Sequence, residues 1–203
     1  MRRDGVRERD RGADHAAVRR SGAANAVTLA RLVLVSWLAG LLALPDPRAW
    51  QVVLVGLCCL VLDGVDGRVA RRRGLASAFG ARFDVEVDAA LLLVLSVAVA
   101  DLGIAGWWVV SIGLMRYVYV GASVRWTWLR GALFPSRARK VVGVCEVVAV
   151  LVALLSPLLA GLSAGASRAL LLVALGALCW SFARDVRWQY ANRQSRAVSA
   201  RTA

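Results

Sequence analysis

The chain has 203 residues, a formal net charge of +13 and an apolar fraction of 59%. With a mean hydropathy of +0.62, this is too apolar for a soluble domain built around one core. Such a basic chain would suit nucleic acid, but the arginines flank long apolar runs, the pattern the positive-inside rule produces, so the membrane reading is the stronger one and no nucleic-acid partner is expected.

Taken in chain order, the first 26 residues hold seven arginines mixed with four acids. A secretory n-region is shorter, and no small-residue cleavage site follows Leu44-Pro45-Asp46, so the segment reads as a cytoplasmic extension. Six apolar spans then follow, at Val27–Leu44, Trp50–Ala70, Phe83–Ala100, Trp107–Val124, Val141–Ala160 and Ala169–Phe182. Each approaches the ~20 residues that cross a bilayer as a helix. The expected fold is all-α: an integral membrane bundle of six transmembrane helices. Residues 1–24 form a basic N-terminal tail, 25–187 the membrane domain, and 188–203 a basic C-terminal tail.

The loops orient it. The second loop carries Arg68, Arg71, Arg72, Arg73 and Arg82, and the fourth Arg125, Arg130, Arg137, Arg139 and Lys140. The C-tail has Arg184, Arg187, Arg193, Arg196 and Arg201, whereas the alternate loops hold only Arg48 and Arg168. Both termini are therefore expected in the cytoplasm. Trp50, Trp107 and Trp108 would lie at the outer interface, and Trp126, Trp128 and Trp188 at the inner one.

Cys58, Cys59, Cys145 and Cys179 all fall in apolar spans without zinc-ligand spacing, and read as small buried hydrophobes. The single histidine, His15, lies in the tail, which removes triad chemistry.

The acids in the second and third spans are what a purely structural membrane helix avoids, since each costs at least ~2.5 kcal/mol at depth. The sequence reads Asp63-Gly-Val-Asp66-Gly67-Arg-Val-Ala70-Arg71, then, after eight residues, Gly80-Ala-Arg-Phe-Asp84-Val-Glu-Val-Asp88. Spacings of three and four place each aspartate pair on one helix face. In an antiparallel hairpin, Asp63 then falls level with Asp88, Asp66 with Asp84, and Ala70 with Gly80. Two rungs of carboxylates repel unless cations share them. Hard oxygen donors of this number suit Mg²⁺ or Mn²⁺, two ions with substrate phosphate completing their coordination. Arg71 sits where it can pair with phosphate oxygens. A set of mutual ion pairs is the structural alternative. It is disfavoured because the spare arginines are expected cytoplasmic to the acids, not beside Asp63 or Asp88. Glu86 points elsewhere and reads as a bystander.

The string Asp63, Asp66, Gly67, Ala70, Arg71, Gly80, Asp84, Asp88 resembles the signature of the CDP-alcohol phosphotransferases at every defining position and spacing. The likeness extends to six spans and to an Asn25-x-x-Thr28-x-x-Arg31 start of the first one. The resemblance implies two metal ions held by Asp63, Asp66, Asp84 and Asp88. It implies CDP held near Thr28, Asp66, Gly67, Ala70, Arg71 and Gly80, with Asp88 as the base that deprotonates the acceptor hydroxyl. It further implies a homodimer in the cell membrane, a CDP-linked lipid donor, and a site facing the cytoplasm.

The signature reads the donor and leaves the acceptor open. Arg116 lies in an apolar span with no acid in its own helix, so it pairs either with Glu146 or with an anion. Together with Arg139 and Lys140 it would form a basic pocket for a small, phosphate-bearing alcohol. The competing functions are a UbiA-like membrane prenyltransferase, which lacks the Gly67, Ala70, Arg71, Gly80 frame, and a cation transporter, whose acids would be spread over the membrane depth.

Overall fold

The computed structural model describes residues 29–44, 49–73, 78–130, 137–158 and 163–193, and within these only the backbone of 63–73, 78–81, 127, 130 and 137. Among the described residues there are six α-helices and no strand. They are α1 (Leu29–Leu42), α2 (Ala49–Arg73), α3 (Ala78–Asp101), α4 (Val110–Arg125), α5 (Arg137–Leu155) and α6 (Ala164–Ala191). Each expected span corresponds to one helix. Two stretches, Trp107–Arg125 and Ala164–Ala191, are long and apolar enough to cross a membrane.

Several ends differ from expectation for identifiable reasons. α5 stops at Leu155, short of Ala160, because Pro157 cannot donate a helical hydrogen bond and biases Ser156 away from helical backbone. α6 is far longer than Ala169–Phe182. It begins behind Ser163, whose hydroxyl accepts from the Ala166 amide at 3.1 Å, an N-cap. It runs past Phe182 because Asp185 and Gln189 are buried there (6% and 1% exposed) and prolong the helix as a packed, polar-faced segment. α3 ends at Gly103 in a left-handed conformation (φ 68°). There the Ile104 amide returns to the Val99 carbonyl and the Gly103 amide to that of Ala100, a Schellman cap.

The chain forms two compact units. The first comprises residues up to 46 and 54–91, and its buried apolar residues include Val35 and Leu38 of α1, Cys59 of α2, and Val87 and Leu91 of α3. The second comprises 47–53 and 92 onward. There α5 packs along α6 around Val150, Leu154 and Leu171. α4 meets α3 at a glycine: a Cβ on Gly113 would lie 2.3 Å from the Leu93 Cα. A polar clasp joins α4, α6 and the 3₁₀ turn Thr127–Arg130. In it the Tyr119 hydroxyl donates to Gln189 Oε1 at 2.9 Å, and Gln189 Nε2 donates to the Leu129 carbonyl at 2.9 Å.

The outward faces are apolar. α1 exposes Leu29, Val33 and Trp37 at helical spacing, α5 exposes Val141, Val144 and Val148, and α6 exposes Val173 and Trp180. Arg31, Glu146, Asp185 and Gln189 are buried instead. Apolar outside and polar inside is the distribution a lipid-facing protein requires, because intramembrane ionisable groups turn toward the protein interior.

Candidate active site

The site is built on the first unit. α2 is helical without interruption from Ala49 to Arg73, so Asp63, Asp66, Gly67, Ala70 and Arg71 lie on one continuous helix, as their spacing requires. Their side chains, and that of Arg82's neighbour Ala81, fall outside the described residues, as does the connector 74–77. Gly80 lies in the first turn of α3. Thr28 lies outside the described residues, so the rung pairing and the CDP contacts have no described counterpart here.

Asp84 and Asp88 are described, and they converge. Both sit on the face of α3 that meets α1, and one guanidinium reaches both: Arg31 Nη1 donates to Asp84 Oδ1 at 2.6 Å, and Arg31 Nη2 donates to Asp88 Oδ1. Two acids four apart on a helix stack one above the other, which matches the planar, two-pronged donor geometry of arginine. Arg31 is 1% exposed, whereas the Asp84 and Asp88 side chains remain 38% and 44% exposed. The carboxylates thus have a buried cation on one side and an accessible approach on another. Glu86, between them, is exposed, as expected of a residue on a different face.

Arg31 corrects the expectation that no arginine lies beside Asp88; the same expectation for Asp63 falls outside the described side chains. Arg31 is the sole charge in the described part of α1, and its apolar surroundings were themselves the signal. A lone arginine in an apolar span needs an acidic partner from another helix, the same reasoning that singled out Arg116.

Among the described residues no group of three or more metal-ligating side chains occurs; the side chains of Asp63 and Asp66 lie outside the described residues. The two acids that are described fit a divalent cation: hard carboxylate oxygens, brought together and partly exposed, already converge on a positive group.

The residues expected at the acceptor all belong to the second unit. Arg116 is half-buried in α4 and Lys140 is exposed. Arg139 Nε lies 3.5 Å from Asp185 Oδ2 on α6, and Arg184 Nη2 lies 3.5 Å from Asp185 Oδ1. Glu146 is fully buried, and neither of its carboxylate oxygens has a hydrogen-bond partner among the described residues. Among the described residues no hydrogen bond therefore joins Arg116 to Glu146, one of the two partners expected for that arginine. Asp185, which the sequence reading passed over, is the acid that meets Arg139.

Among the described residues the protein is all-helical, with apolar outward faces and buried polar groups, which is the architecture of a membrane-type helical protein. The sequence profile of the CDP-alcohol phosphatidyltransferase family matches residues 22–181, and the chain belongs to that family. A search of curated proteins found no match.

Proposed function

We propose that the protein transfers a phosphatidyl group from a CDP-linked lipid donor, CDP-diacylglycerol, to a small polar alcohol with release of CMP, as a step of phospholipid synthesis. It acts as a homodimer, crosses the membrane six times with both termini in the cytoplasm, and presents its site to that side. The observation that carries the reading is the convergence of Asp84 and Asp88, two members of an eight-position signature, in a chain whose family is established. Family membership leaves the prenyltransferase and transporter alternatives without support.

In this reading Asp63, Asp66, Asp84 and Asp88 hold two Mg²⁺ or Mn²⁺ ions, and Arg71, with Thr28, Gly67, Ala70 and Gly80, receives the CDP moiety. The ions, when bound, neutralise the diphosphate and the departing phosphate. Asp88 takes the proton of the acceptor hydroxyl. The acceptor oxygen forms its bond to the phosphorus that carries the lipid, the bond from that phosphorus to the CMP oxygen breaks, and CMP leaves with the bonding pair. The chain contributes placement and charge more than covalent chemistry. The test is to incubate the purified protein with CDP-diacylglycerol and each of glycerol 3-phosphate, inositol phosphate and serine, measuring CMP and the lipid product. CMP release that stops with a chelator and returns with Mg²⁺ or Mn²⁺ is expected. Full turnover without divalent ions would refute the metal-dependent scheme.

The acceptor is proposed to carry phosphate, held by Arg116, Arg139 and Lys140. Arg139→Ala should raise the apparent KM for the acceptor by about tenfold or more, the value of one charge-assisted hydrogen bond, and leave that of the donor nearly unchanged. Arg139 also faces Asp185. If that contact is its whole purpose, the variant instead loses folded protein, and Asp185→Asn restores it. Efficient use of a neutral acceptor, with these basic residues dispensable, would exclude the phosphate pocket.

A further inference from the structure

Arg31 is buried at 1% exposure behind two carboxylates that are themselves only partly exposed. It donates to one oxygen of each, Oδ1 of Asp84 and Oδ1 of Asp88. A carboxylate offers about four lone-pair directions, so accepting from arginine leaves each acid able to bind a cation as well. A guanidinium stays charged throughout the range in which proteins are folded. Any divalent ion sharing these acids therefore sits near a fixed positive charge in a partly desolvated place, where like charges repel more strongly than in water. The same contacts fix the acids' side-chain angles, because the fork has a set width.

We infer that Arg31 is a positioning residue of the cation site, which clamps Asp84 and Asp88 side by side and offsets their charge so that they hold a divalent ion weakly. This rests on the reading that these acids bind the ion. Deleting the charge should then do two opposite things: destabilise the protein, because two acids lose their buried partner, and strengthen its hold on the ion. A residue with only a structural purpose would do the first and not the second.

The experiment measures Mn²⁺ binding to the purified full-length protein in detergent, without donor, from the paramagnetic signal of the free ion. Wild type, Arg31→Gln and Arg31→Lys are compared, with thermal unfolding in chelator alongside. Arg31→Gln is expected to bind Mn²⁺ about tenfold more tightly, as removal of one nearby like charge implies, and to unfold at a lower temperature in chelator. Arg31→Lys keeps the charge but not the fork. It should bind Mn²⁺ as wild type does, with a lower kcat at saturating donor and acceptor. Folded Arg31→Gln with unchanged or weaker Mn²⁺ binding would overturn the inference. If Arg31→Gln does not fold, Arg31→Lys decides: wild-type kcat, or much tighter binding, would overturn it. Wild-type protein that binds no Mn²⁺ at all would refute the cation-site reading itself, and this inference with it.

Discussion

Asp88→Asn is expected to slow CMP release by about 10²–10⁴-fold, the usual contribution of a positioned general base, while the CDP-linked donor still binds. Asparagine keeps the shape and one acceptor oxygen but cannot take a proton from the acceptor hydroxyl. The fold should tolerate the change, because Asp84 still accepts from Arg31 at 2.6 Å and the remaining carboxylates still attract cations. Steady-state kinetics, together with equilibrium binding of a non-reacting CDP analogue, would separate the possible outcomes. Loss of rate with donor binding intact assigns proton transfer to Asp88. Loss of both assigns it to cation binding alone, and near-wild-type turnover removes it from the chemistry. The choice of Asp88 over Asp84 as the base rests on family resemblance, since the two acids share one guanidinium and similar exposure.

The helices were legible because apolar runs separated by proline, glycine and arginine leave few alternatives. Their ends were not, and α6 shows why. A hydropathy window closes at the first charged residues, yet Asp185 and Gln189 are buried and continue the helix. Their burial depends on Arg139 from α5 and on the Leu129 carbonyl, contacts that no local pattern contains. The converse holds for α3 and α5. Neither is among the stretches apolar enough to cross a membrane, although both read as spans, because acids and bases lie within the helices themselves. Charged residues inside a helical bundle lower the hydropathy of the helices that carry them, even where those helices are otherwise apolar.

The signature aspartates were legible for a different reason. Spacings of three and four on a helix dictate a shared face whatever the surroundings, and Asp84 and Asp88 share theirs. What spacing could not supply was the partner. Arg31 is far from both acids in sequence, on another helix, and charge counting along α2 and α3 alone finds only arginines near the helix ends. The same limit applies to Arg139, whose contact with Asp185 spans two helices that no periodicity relates.

Gly113→Ala is expected to destabilise the folded protein by about 3 kcal/mol or more, at or beyond the upper end of ordinary overpacking. The added Cβ would lie 2.3 Å from the Leu93 Cα, 2.8 Å from its amide nitrogen and 2.9 Å from its Cβ. Two of these atoms are backbone, so no rotamer change relieves the clash and α4 must move away from α3. Close approach of helices at a small residue is also where membrane proteins gain packing energy that apolar side chains cannot provide against lipid, so separation loses contacts along both helices. Trimming the neighbour tests this account. Leu93→Ala retains the Cα, the amide and the Cβ, so it should fail to rescue Gly113→Ala, whereas rescue would show that the side chain, not the backbone, sets the distance. Thermal unfolding of the two single variants and the double variant in detergent is the measurement. Gly113→Ala with wild-type stability would mean that the two helices do not approach this closely.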